Sequence, residues 1–429
     1  MDIRGGKVSL RGDINAPGDK SISHRAIMMG SISKGKTEIY NFLMSEDCLH
    51  TIQCFKDMGV KIDVTDDKIT VYGKGLKGLV APKDVLYVGN SGTTIRIMSG
   101  ILAGQEFETE ISGDRSILDR PMDRIIKPLS LMGADIKGKY NKYPPLIIKP
   151  SNNIKGIEYY QTIASAQVKS SILFLSLFAE GITKVIQPSK SRDHTEKMMK
   201  YFGVDIKEKD REVIVNPQEK PVGKEIYVPG DISSVAFFIV GALILKGSSL
   251  TVRNVGYNKT RAGIIEVLKK MGGNLEVFNL RKVNNEPIVD IKVKYSHLKG
   301  IEIKGDIIPR LIDEIPIIAV AASCAEGRTI ICDAEELKYK ESNRIEAIVN
   351  ELFKMGIDIS KTDDGMVING VDNINKAELL SYSDHRIAMS LIIASLKSNG
   401  LCKIDDISSI KTSYPEFFKV LNKILIRKR

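Results

Sequence analysis

The sequence contains no tryptophan, only 6% aromatic residues, and just five cysteines and five histidines in 429 positions. Each scarcity removes a class of function. So few aromatic rings leave little surface on which single-stranded nucleic acid could stack. The cysteines (Cys48, Cys54, Cys324, Cys332 and Cys402) are odd in number and include no Cys-x-x-Cys pair. That suits reduced thiols in a cytoplasm and argues against a structural zinc site. No two histidines are spaced His-x-x-x-His, so a histidine-built metal site is not expected. No apolar run approaches the roughly 20 residues that cross a bilayer. The opening MDIRGGKVSL has no apolar stretch behind a basic patch, so no secretory signal is expected. The expectation is a soluble cytoplasmic protein that binds neither membrane nor metal.

What is present is ordinary globular composition, 43% hydrophobic and 27% charged, in a chain long enough for two domains. The formal charge of +10 fits either a nucleic-acid binder or an enzyme that attracts acidic substrates. The cations are scattered, and their densest run is only Arg427, Lys428 and Arg429. The nucleic-acid reading is the weaker one.

Internal repetition is the most informative feature. A helix of small and apolar residues, a glycine and a β-branched strand recur six times, from SHRAIMMGSISKGKTEIYNF to DHRIAMSLIIASLKSNGLCKIDD. The glycines Gly35, Gly104, Gly181, Gly247, Gly327 and Gly400 fit a left-handed position at each helix exit. Between these copies lies an amphipathic helix ending in an apolar–Gly pair and followed by two strands, as in CLHTIQCFKDMGVKIDV and NRIEAIVNELFKMGIDIS. A sixth such helix, EFFKVLNKILI, closes the series. The repeat of roughly 70 residues is too long for a solenoid, so the copies should cluster three to a domain. The first helices are apolar nearly all round and should be buried, with sheets outside. The predicted architecture is α/β, with one domain over 18–229 and another over 1–17 and 230–429. The chain crosses near Pro17 and again near YVPGD (227–231).

Two phosphate motifs are decoys. GSISKGKT (30–37) satisfies G-x-x-x-x-G-K-[ST], but a P-loop runs from strand to helix and here a helix leads in and a strand leads out. GKGLKG (73–78) satisfies G-x-G-x-x-G, yet LVAPKDVLYV follows it with no helical period to receive a pyrophosphate. No nucleotide cofactor is expected.

Chemistry concentrates where each first helix opens: GDKSISHR (18–25), GNSGTTIR (89–96), ASAQVKS (164–170), GDISS (230–234), DEIP (313–316) and SDHR (383–386). Taken singly, such Ser, Asn and Asp residues are N-caps. Lys20, Arg25, Gln167 and Arg386 exceed what capping needs, and helix N-termini favour anions. Arg120, Lys340, Arg344 and Lys411 add cations in turns, enough for two bound anionic groups. Asp313 and Glu341 stand among them, either as simple ion-pair partners or as an acid and a base.

The strings PGDKSISHR, GNSGTTIR, DRPM, ASAQVKS, SRDHTEKM, NKTR, DEIP, KESNRI, SDHRIAM and KTSYPEF closely resemble the enolpyruvyl transferases, and among them the 5-enolpyruvylshikimate-3-phosphate (EPSP) synthases. They run in that family's order over nearly the whole chain. The resemblance implies a two-domain inside-out α/β barrel with three βαβαββ-type repeats per domain, closing over substrate. It implies transfer of the carboxyvinyl group of phosphoenolpyruvate to the 5-hydroxyl of shikimate 3-phosphate, by a monomer without cofactor or metal. Carried over residue by residue, Lys20, Ser21, Arg25, Ser165, Ala166, Gln167, Asp313 and Lys340 would hold shikimate 3-phosphate. Lys20, Gly92, Arg120, Gln167, Arg344, Arg386 and Lys411 would hold phosphoenolpyruvate. Asp313, Glu341 and Lys20 would be catalytic, with Asp313 taking the hydroxyl proton and Glu341 protonating the methylene.

The UDP-N-acetylglucosamine enolpyruvyl transferases are similar, but they carry a cysteine in the loop that here reads GDRSILDRP (113–121) and has none. Members that tolerate the inhibitor glyphosate resemble one another in four strings, which this chain has at 18–21, 165–169, 192–196 and 258–261. Gly92 points the other way, because an alanine narrows the pocket in some tolerant relatives. On balance the expectation is tolerance.

Overall fold

In the computed structural model, which describes residues 1–427, the chain divides into two compact units. One is Gly18–Pro229 together with Lys282–Glu286; the other is Met1–Pro17, Gly230–Arg281 and Pro287–Arg429. Lys428 and Arg429 of the terminal basic run lie outside the described residues. Each domain has one contiguous apolar core.

The 18–229 domain contains helices α1 (Lys20–Ile32), α2 (Glu46–Asp57), α3 (Gly92–Leu102), α4 (Arg115–Leu118), α5 (Asp123–Leu131), α6 (Ala166–Ser176) and α7 (His194–Tyr201). The 230–429 domain contains α8 (Ile232–Ile244), α9 (Gly263–Lys270), α10 (Ile315–Ser323), α11 (Arg344–Lys354), α12 (His385–Lys397) and α13 (Phe417–Ile424). Helices α1, α3, α6, α8, α10 and α12 are the inner ones. All thirteen residues of α8, ISSVAFFIVGALI, are buried, which is why its apolar residues follow no single stripe. Intimate packing inside the 18–229 domain depends on Gly100 of α3: a Cβ there would lie 2.1 Å from the Ser171 carbonyl oxygen of α6.

The sheets repeat one pattern. Strand Lys34–Tyr40 runs parallel to Glu225–Tyr227 on one side and antiparallel to Lys68–Lys74 on the other, which pairs in turn with Lys61–Val64. Thr109–Ser112, Thr183–Ile186 and Arg328–Ile331 each sit at the same place in equivalent four-stranded sheets. The N-terminal strand Val8–Asn15 pairs in parallel with Ser249–Gly256, and antiparallel with Leu425–Arg427. Strand Lys34–Tyr40 follows α1 directly, so the P-loop-like string is a helix exit, and only turns link Lys68–Lys74 to Leu86–Tyr87 after GKGLKG.

Five of the six helix-exit glycines have the expected positive φ: Gly35, Gly181, Gly247, Gly327 and Gly400. Gly104 does not. A Cβ at Gly104 would lie 2.3 Å from the Phe178 ring, so glycine is needed there for close approach rather than for left-handed backbone.

Candidate active site

In the 230–429 domain Asp313 and Glu341 meet on the guanidinium of Arg344. Asp313 lies in a single 3-10 turn, Ile312–Glu314, that feeds α10, and Pro316 is accommodated in that helix's first turn, where no intrahelical N–H donor is missed. Lys340 and Glu341 follow the 3-10 turn Glu335–Tyr339, after which Asn343 caps α11 and Arg344 opens it. Asp384 caps α12, its Oδ1 accepting from the Arg386 backbone N–H at 2.9 Å. Arg344 donates from Nε to Asp384 Oδ2 at 2.8 Å, from Nη2 to Glu341 Oε2 at 2.5 Å and from Nη1 to Asp313 Oδ1 at 3.3 Å. The side chains of Arg344 and Asp384 are 1% and 0% exposed.

Burial by itself would lower the Arg344 pKa, but Asp384, Glu341 and Asp313 outweigh it and hold the guanidinium above its ordinary range. Burial likewise pushes the Asp384 carboxyl up, and Arg344 brings it below the usual aspartate value. Lys340 Nζ lies 3.3 Å from Asp313 Oδ1. Arg386 Nη1 donates to the Asp313 carbonyl at 3.0 Å and lies 3.3 Å from Glu314 Oε1. Lys411 is exposed on the turn Ser408–Thr412.

In the 18–229 domain, Lys20 and Ser21 open α1 behind the cap residue Asp19, and Lys20 Nζ pairs with Asp47 Oδ2 at 3.0 Å. Arg25, one turn on, is buried. His24 beside it is kept neutral: burial, then the charges of Lys20 and Arg25, lower its pKa well below the usual value. Ser165 caps α6 and Ala166 is its first residue, so Gln167 stands in the opening turn. Gln167 Oε1 accepts from Arg96 Nη1 at 2.7 Å, and its Nε2 donates to Thr93 Oγ1 at 3.2 Å. Arg120 Nη2 donates to Asn90 Oδ1 at 2.5 Å and Ser116 Oγ at 3.0 Å. Gly92 floors this group: a Cβ there would lie 3.1 Å from Nη1 of both Arg120 and Arg96.

Sequence reasoning missed Arg96, Asp384 and Arg261. Arg96 was findable, because it lies four residues after Gly92 on α3 and so shares its face. Asp384 reads as a plain cap until Arg344 is seen beside it. Arg261 Nη1 lies 3.6 Å from Asp313 Oδ2, a contact between segments 52 residues apart that no local pattern announces. Among the described residues one group has metal-ligand geometry, the buried Asp193, His194 and Glu286. Lys197 pairs with Asp193, and His194 Nδ1 lies 2.8 Å from Glu286 Oε1.

The family described as EPSP synthase (3-phosphoshikimate 1-carboxyvinyltransferase) matches residues 5–421. The chain belongs to the EPSP synthase family. A 3-phosphoshikimate 1-carboxyvinyltransferase of Thermoanaerobacter sp. (strain X514) is 52% identical over 415 residues, covering 97% of this chain and 98% of the relative. One of Bacillus cereus (strain B4264) is 52% identical over 416 residues and 97% of both chains. The solved EPSP synthase of Acinetobacter baumannii superposes with a TM-score of 0.88 at 44% identity, over 100% of this chain and 99% of that one. EPSP synthases are transferases of the shikimate pathway, which serves aromatic amino-acid synthesis, and the mixed α/β architecture expected from the repeats is the one this family adopts. The cell-wall sister family is thereby disfavoured.

Proposed function

We propose that Asp313 and Glu341 are the acid–base pair of the carboxyvinyl transfer from phosphoenolpyruvate to shikimate 3-phosphate. The observation that supports this most is their convergence on the buried Arg344, which keeps two carboxylates close without mutual repulsion. Asp313 takes the proton of the acceptor 5-hydroxyl as its oxygen bonds to C2 of phosphoenolpyruvate. Glu341 delivers a proton to the C3 methylene. In the second half Glu341 removes a proton from the resulting methyl as the C–O bond to phosphate breaks, which restores the double bond and frees inorganic phosphate.

Arg344, Arg386 and Lys411, with Lys20, Gly92, Arg120 and Gln167, are the proposed phosphoenolpyruvate ligands. Lys20, Ser21, Arg25, Ser165, Ala166, Gln167, Asp313 and Lys340 are those for shikimate 3-phosphate. The guanidinium forks suit carboxylate and phosphate oxygens. A monomeric state and a cytoplasmic location belong to the same reading, the latter supported by five thiols without a disulfide. Phosphate release measured with both substrates, each alone, and UDP-N-acetylglucosamine in place of shikimate 3-phosphate tests the reaction. Release that requires shikimate 3-phosphate is expected; release with the nucleotide sugar instead would overturn it.

Gly92→Ala is expected to push the Arg120 and Arg96 guanidiniums outward by a few tenths of an ångström. The Michaelis constant for phosphoenolpyruvate should rise a few-fold and the inhibition constant for the longer glyphosate more, by about tenfold or beyond. Equal rises would show that the position does not discriminate. In the unsubstituted chain, glyphosate is expected to bind more weakly than phosphoenolpyruvate.

A further inference from the structure

Lys169 and Glu196 form an ion pair shut off from solvent. Lys169 stands on α6 two residues after Gln167, Glu196 stands on α7, and Nζ to Oε1 is 2.5 Å with side chains 0% and 1% exposed. Such a pair is a poor device for stability, since desolvating both charges offsets much of their attraction. Burial raises the Glu196 pKa despite Lys169, and its Oε2 has no hydrogen-bond partner among the described residues. The neighbours of the pair suggest another use. Ser170, next to Lys169, accepts from Arg25 Nη2 at 2.9 Å; Thr195, next to Glu196, accepts from Arg25 Nε at 2.6 Å. The two hydroxyls are 2.6 Å apart. Arg25 Nη1 is tied to its own helix through the Ser21 carbonyl at 2.9 Å. Three helices therefore meet at one guanidinium, and the ion pair links the two that aim it.

We propose that the Lys169–Glu196 pair positions Arg25 for the acceptor substrate, so that both are positioning residues in a reaction neither touches. The proposal rests on the reading of Arg25 as a shikimate 3-phosphate ligand. Electrostatics act in the same direction: burial lowers the Arg25 pKa to about 10, and Glu196 is the largest influence opposing that fall.

The test is the double variant K169M/E196M, which removes both charges together and leaves neither buried alone. Its thermal midpoint and its turnover at saturating substrates should stay near those of the unsubstituted enzyme. The Michaelis constant for shikimate 3-phosphate should rise about tenfold at pH 7, while that for phosphoenolpyruvate changes less than about twofold. A folded double variant with an unchanged shikimate 3-phosphate constant would overturn the proposal, as would equal rises for both substrates. If the double variant does not fold, Glu196→Asp decides. It keeps the charge but withdraws it by one methylene, and should raise the shikimate 3-phosphate constant a few-fold and leave the other alone. An unchanged constant there overturns the idea. Arg25→Gln separates this from the underlying assignment: if that variant binds shikimate 3-phosphate normally, Arg25 is not a ligand, whatever the pair does.

Discussion

Glu341→Gln should lower turnover by about 10²–10⁴-fold, the range by which a positioned acid–base group accelerates proton transfer. The substitution keeps a carbonyl oxygen where Glu341 Oε2 accepts from Arg344, so the guanidinium retains a partner on that side. Asp384 and Asp313 still neutralise Arg344, so the fold should survive with little change in unfolding midpoint. What is lost is the capacity to give up and reclaim a proton at the methylene carbon. Shikimate 3-phosphate binding, followed by calorimetry because there is no tryptophan to report it, should be nearly unchanged. A variant that turns over near the unsubstituted rate would remove Glu341 from the mechanism.

Asp384→Ala should strongly destabilise the 230–429 domain. It removes two hydrogen bonds from Arg344, the cap to the Arg386 backbone N–H, and the acceptor for Ser342 Oγ at 3.0 Å. Breaking a fully buried ion pair from one side costs about 3–5 kcal/mol. Part of that loss is offset here because Asp313 and Glu341 remain beside Arg344, and in turning toward it they would leave their own tasks. A lower denaturation midpoint together with weakened phosphoenolpyruvate binding is expected. The pH dependence has a definite sign. The folded Asp384 carboxyl titrates below its unfolded value, so its contribution is fully present above about pH 4 and fades as pH falls through the folded pKa. The Ala variant should lack that component, and its stability should fall less steeply with acid. Parallel acid-unfolding curves for the two proteins would refute this account.

Much of this was legible in the sequence because it is local. Six small-residue helices followed by a glycine and a β-branched strand announce a repeated α/β architecture, since the burial of a helix face and the exit from a helix are decided within a few residues. Five of the six polar openings of the inner helices were legible for the same reason: Asp19, Ser91, Ser165, Asp231 and Asp384 cap the helices they precede, with side chains accepting backbone N–H groups, whereas Glu314 before α10 makes no such cap. Family strings then supplied residue roles that spacing alone could not. Only the tertiary structure decided which charges answer one another. Asp384 lies 40 residues from Arg344, and Lys169 lies 27 from Glu196, separations that carry no period and follow only from how helices pack. The exception at Gly104 has the same origin. Its neighbour Phe178 belongs to a different repeat, and a ring 2.3 Å from an absent Cβ is a fact of packing, whereas the left-handed turns at the other five glycines are facts of the local chain.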